Sequence, residues 1–140
     1  METVNTLDID GTQWGIKDSE ARSEISVLKT EIEKLKTVEK WQYTIPDYGG
    51  EIIARRQGNV ISVNGTNIGR VKEITTDIGD INLAVLPERF RPLETQFFMM
   101  RTSGSYITQY GGVIYLNGNI NFYTYAIVDY GCFSISYIVD

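Results

Sequence analysis

EIIARRQGNVISVNGTNIG, residues 51–69, decides how the larger part of this chain folds. EIIARR reads as a strand, QGN as a tight turn, VISV as a second strand and NGTNIG as another turn, since Gly and Asn accept the backbone angles that turns require. The period-two rhythm continues to residue 140. Further strands are expected at VKEIT, INLAVL, TQFFMMR, SYITQY, GVIYL, INFYTYAIV and CFSISYIV. Short strands at regular intervals, with no helical pattern between them, predict an antiparallel β-sandwich or jelly-roll-like head over residues 41–140. Every aromatic residue except Trp14 falls in this part, which at about a hundred residues is long enough to enclose a hydrophobic core.

The pattern ahead of it is different. In ARSEISVLKTEIEKLK, residues 21–36, Ala21, Ile25, Leu28, Ile32 and Leu35 follow one another in steps of four and three, the spacing of a coiled-coil seam. Asp18 or Ser19 can cap the first turn, and Glu20 suits its dipole, so a stem is expected over residues 18–40. Ile25 and Ile32 take the a positions, and Ala21, Leu28 and Leu35 the d positions. Glu24 and Glu31 fall at g, and Arg22, Lys29 and Lys36 at e. A parallel pair of identical chains sets Glu24 against Lys29 and Glu31 against Lys36 of the neighbour, whereas an antiparallel pair opposes like charges; parallel association is predicted. The alternative, an amphipathic helix lying on its own domain, is disfavoured by the narrow seam and the polar b, c and f positions. Two clean a positions, with Glu39 at the next, leave the number of helices open. A helix over 18–40 is roughly 35 Å long, too few heptads to hold without help, so the β part is expected to associate as well. Residues 1–17 read as a small hairpin about Asp10-Gly11 or as a loosely ordered tail whose Trp14 covers the base of the helix.

Composition narrows the function. With 140 residues, 42% hydrophobic content and a net charge of −5, the chain reads as a soluble folded protein, one domain plus an appendage. METVNTLDIDG carries no signal-peptide pattern and no apolar run reaches membrane-spanning length. Membrane insertion is not expected, and the product stays in the cytosol unless another machine exports it. Histidine is absent, which removes Ser-His and Cys-His nucleophile pairs and the commonest zinc ligand. Cys132, the single cysteine, lies in the apolar stretch GCFSISYIV and is expected to be a buried structural thiol. Lysines sit beside glutamates in the helical segment and arginines are scattered, so nucleic acid is not an expected partner. Asp77 with Asp80, and Glu88 with Glu94, occupy places where turn and solvation chemistry accounts for them; neither enzymatic activity, metal nor cofactor is predicted.

A shallow saccharide site needs an aromatic platform beside planar hydrogen-bonding side chains. YLNGNINFYTY offers both: strand alternation puts Ile120 and Phe122 towards the core and Asn121, Tyr123 and Tyr125 on the opposite face. Those tyrosines either line a receptor groove or pack against a neighbouring subunit. Tyr106, Gln109 and Tyr110, flanking a Gly-Gly turn, form a second candidate patch.

In LPERFRP, residues 86–92, Leu86 closes an apolar strand, Pro87 cannot donate to a ladder and Pro92 restrains Arg91 to extended geometry. A stiff crossover is expected, with Phe90 returning to the core and Arg89 and Arg91 projecting outward or across a subunit boundary. This loop resembles the LP-x-x-(F/Y)-R-P loop in head domains of bacteriophage tail fibres and receptor-binding proteins, particularly those of tailed phages of Gram-positive hosts. RRQGNVISVNG is similar to the strand-turn-strand that opens such heads, GGVIYLNGNINFY to a late hairpin, FSISYIVD to their closing strand, and IKDSEAR to the segment leading into their stems. Arg89 stands where that loop often carries glycine, and no β-helical neck repeats separate stem from head. The resemblance implies a homotrimer in the virion, at the phage tail tip, assembled in the bacterial host cytoplasm. Its stem would join other phage tail proteins through the N-terminal end, and its head would recognise a host cell-wall saccharide without chemistry. The alternative it leaves is a structural trimeric spike or baseplate component that binds other virion proteins.

Overall fold

The computed structural model describes residues 5–9, 12–16, 19–72, 74, 80–102, 109–123, 128 and 130–140. It divides into two units, Met1–Thr37 and Val38–Asp140.

In the first unit, β1 (Asn5–Ile9) pairs antiparallel with β2 (Thr12–Ile16), with Ile9 opposite Thr12. The helix α1 runs from Ser19 to Lys36. Lys34 reaches Glu31 at 2.9 Å and Lys36 reaches Glu33 at 3.1 Å, exposed pairs three residues apart that each add only a few tenths of a kcal/mol. At its end both the amide and the hydroxyl of Thr37 donate to the Glu33 carbonyl. No residue of α1 is buried within this chain. Ile25, Leu28, Ile32 and Leu35 are 39–60% exposed.

A strand begins two residues after the helix ends. The three residues 38–40, expected in the stem, open β3 (Val38–Thr44), which pairs along its whole length with β4 (Glu51–Gln57). The rest of the second unit is β5 (Val60–Ile68), β6 (Ile81–Val85), a 3₁₀ turn at Glu88–Phe90, β7 (Gln96–Arg101), β8 (Gln109–Ile114), β9 (Asn119–Phe122) and β10 (Gly131–Ile138). They form one antiparallel sheet of 8 strands in the order β3-β4-β5-β10-β7-β8-β9-β6. The expected sandwich of two separate sheets is thus a single sheet folded over until it nearly closes into a barrel. The connection is β10. It pairs with β5 along most of its length, while a register shift between Gly131 and Phe133 turns Cys132 to face Arg101 of β7.

The residues after β6 fasten the edges of this sheet. Arg56 of β4 donates to the carbonyls of Gly58, Arg89 and Asp140 at 3.0, 2.9 and 3.1 Å, and Arg89 pairs with Glu39 of β3. Phe90 is buried as expected, and Arg91 is extended. Arg91 folds back to donate to the Leu86 carbonyl at 3.0 Å instead of projecting outward, while the exposed Arg89 side chain does project outward. Leu86 in turn binds the Gly118 carbonyl at the tip of the β8–β9 hairpin. Gly118 has φ +91°, and a side chain there would stand 2.6 Å from the Leu86 oxygen, so only glycine closes this hairpin against the loop.

Both halves of the sheet contribute to one core, from Ile52, Ala54, Ile61 and Val63 on one side to Leu83, Met100, Ile114, Ile120 and Phe122 on the other. At its centre Phe98 and Phe133 stack with centroids 4.2 Å apart. This stack explains two glycines whose local sequence predicts turns. Asn64-Gly65 lies within β5, and Gly111-Gly112 within β8. A Cβ on Gly65 would lie 2.2 Å from the Phe133 ring, and one on Gly112 would lie 2.2 Å from the Phe98 ring. These glycines make room for rings; the tight turn is at Gly58-Asn59, where Gly58 has φ +59°. Two further expectations are corrected. Val71 and Lys72 of VKEIT lie in a bend, and Ile74 makes an isolated bridge to Val128. Cys132 is exposed on β10, because alternation turns Phe133, Ile135 and Tyr137 inward and leaves Cys132 outside.

The buried Tyr137 hydroxyl donates to the Phe90 carbonyl. Burial holds its phenol far above the ordinary value of 10. Above pH 10 an unfolded chain releases this proton while the folded chain keeps it, so stability is full below that pH and falls as pH rises, by about 1.4 kcal/mol per unit. Tyr137→Phe is expected to cost about 1 kcal/mol at pH 7 but to remove this alkaline loss, which urea unfolding at pH 7 and at about pH 11 will measure.

Candidate functional site

Paired residues on neighbouring strands project to the same side of a sheet. On the outer side of β6-β9-β8-β7, Asn82, Asn121, Val113 and Phe97 therefore form one transverse row, in which Val113 is buried between the polar pair and Phe97. Met99 faces Gly111 in the next, where the Tyr123 amide donates to the Gly111 carbonyl at 3.0 Å. Phe97 is 78% exposed and Met99 57%. A Cβ added to Gly111 would meet nothing within 4 Å, so the floor between Met99 and Tyr123 is open backbone.

One margin of this apolar strip is polar and held in line. Asn121 Nδ2 donates to Asp80 Oδ1 at 3.0 Å, and Asn82 Nδ2 donates to Asn121 Oδ1 at 2.7 Å. Each carboxamide is thereby oriented before any ligand arrives. Above them the Tyr115 and Tyr123 hydroxyls meet at 3.2 Å, with Tyr123 still exposed.

Of the residues expected in a binding site, Asn121 and Tyr123 lie on this face, with Ile120 and Phe122 buried behind them. Gln109 and Tyr110 belong to β8, opposite Arg101 and Met100, where the strand runs straight on through Gly111-Gly112 instead of turning. Tyr106 and Tyr125 lie outside the described residues. Phe97, Met99 and Asn82 are not among the residues the sequence singles out, and Asp80 stands out there only as an acidic neighbour of Asp77. A signal for the first two exists in QFFMMR: four successive large apolar residues on one strand must present two of them outward.

The chain matches no family model and no curated protein.

Chemically, the face combines a flat aromatic ring and a thioether with a row of two carboxamides and one carboxylate. Such a surface can hold a ligand that has an apolar side and a hydroxylated edge. Among the described residues no group of three His, Cys, Asp or Glu side chains is placed to hold a metal ion. Asp77, the partner considered for Asp80, lies outside the described residues.

Proposed function

We propose that this chain is a receptor-binding subunit of a bacteriophage tail, a homotrimer whose parallel helical stem gathers three β heads that grip a host cell-wall saccharide without altering it. The observation that carries this reading is the exposed Phe97–Met99 strip beside the oriented Asp80–Asn121–Asn82 row. A pyranose ring presents C–H groups to the first and hydroxyls to the second. The exposed heptad seam of α1 supports the stem, since a helix with an apolar stripe and no buried residue gains most of its stability from like helices. Each head binds weakly, and three on one stem raise avidity by roughly 10²- to 10⁴-fold.

Purified protein is expected to coat host cells and to block adsorption of the phage that carries it. Failure to do either at saturating concentration sinks the reading. Phe97→Ala is expected to weaken binding of isolated cell-wall glycan about tenfold while leaving the melting temperature within a degree or two, because the ring is exposed in the folded head. Titration calorimetry with the glycan checks it. The same apolar strip also suits a neighbouring virion protein, which is the reading of a structural spike or baseplate component. In that case Phe97→Ala weakens capture of a tail protein and leaves glycan and cell binding at the background level shown by the unaltered chain.

A further inference from the structure

The opposite half of the sheet carries a second exposed row, apolar at three of its four positions, at the end where the chain arrives from the helix. Val38 of β3 faces Gln57 of β4, Gln57 faces Val60 of β5, and Val60 faces Ile138 of β10. Val38, Val60 and Ile138 are 50, 51 and 74% exposed. The next row along the same side, Lys40, Arg55, Ser62 and Ser136, is wholly polar. The apolar band is therefore one row deep. Apart from Gln57 it consists of branched aliphatic side chains with no aromatic ring, and so lacks the features that suit the Phe97 face to a saccharide.

We infer that Val38, Val60 and Ile138 form a collar through which copies of this chain touch one another directly beyond the stem. The inference rests on the parallel stem proposed above, and chain length ties the two together. Packed parallel helices stand about 8–10 Å apart. Only Thr37 separates Lys36, the last helical residue, from Val38, a reach of at most about 7 Å. Parallel stems therefore deliver the Val38 ends of neighbouring heads to the same small region. The aliphatic row that begins at Val38 meets its own kind there, and burying it shields apolar surface that each single chain leaves to water. A stem of few heptads needs such support from the head.

The test uses the full chain with Cys132→Ser, which removes the exposed native thiol, and adds Ile138→Cys, Val60→Cys or, as a control on the other half of the sheet, Met99→Cys. A short bis-maleimide is applied, products are separated under denaturing conditions, and light scattering gives the mass of each untreated protein. Multi-chain mass, with linked chains from the Ile138→Cys and Val60→Cys proteins at least tenfold faster than from Met99→Cys, is the expected result. If the mass is that of several chains but linkage at 138 and 60 is no faster than at 99, the collar is overturned and the stem stands. Single-chain mass overturns both.

Discussion

Gly112→Ala and Gly65→Ala are each expected to lower the unfolding free energy by about 3 kcal/mol, the upper end of what overpacking costs. A methyl group on Gly112 would stand 2.2 Å from Phe98, and one on Gly65 would stand 2.2 Å from Phe133. Neither ring can retreat freely, because each already lies against the other at 4.2 Å with planes inclined by only 23°. A domain of this size has about 5–15 kcal/mol in total, so either change should also lower the yield of folded protein. Urea unfolding with an unchanged slope reads the effect. Because both glycines serve one ring pair, the double substitution should cost less than the sum of its parts. Phe98→Leu should recover part of the loss in the Gly112→Ala protein, since it removes ring atoms that the new methyl would strike. A cost below about 0.5 kcal/mol for both single changes would show that the stack does not fill this space.

On the proposed trimeric attachment, Leu28→Asp combined with Ile32→Asp is expected to release single chains and to reduce binding to host cells by roughly 10²- to 10⁴-fold, the whole gain of linking three heads. Both residues are exposed in the single chain, at 60 and 49%, so the substitutions leave its own core untouched. In parallel stems they place carboxylates against one another within the seam, where charge is costly to bury. Two measurements separate association from folding. Light scattering should report a single-chain mass, and binding of monovalent glycan should be unchanged. If cell binding survives in a protein shown to be monomeric, avidity has no part in attachment.

The helix and most strands were legible because period is a local property. Ile120 and Phe122 point inward and Asn121 outward, as alternation requires, and Phe133, Ile135 and Tyr137 turn towards the core in the same way. Phe90 could be placed because the prolines on either side limit the backbone. What stayed hidden depended on partners distant in sequence. Val38-Glu39-Lys40 continues a charged helical pattern, yet pairing with Arg55, Arg56 and Gln57 makes it a strand, a case of tertiary context overriding local preference. Asn-Gly and Gly-Gly look like turns to any local rule. Here they are strand residues, and the aromatic rings that demand them lie 68 positions away for Gly65 and 14 for Gly112, in Phe133 and Phe98. The candidate face was half visible. Asn121 and Tyr123 could be read from alternation, whereas the Asp80–Asn121–Asn82 row exists only because β6 lies beside β9 across forty intervening residues of chain, more or less.

Cys132–Arg101, the one register pair between β10 and β7 among the described residues, has a mechanical consequence. Tension applied to Phe97 enters through β7, while the tether at Val38 leaves through β3, so the pull must cross from one half of the sheet to the other. Among the described residues one register pair spans that junction. The stacked Phe98 and Phe133 rings, one from each side of it, are expected to carry part of that load. If the chain serves attachment as proposed, its rupture under load is expected to begin beside Cys132.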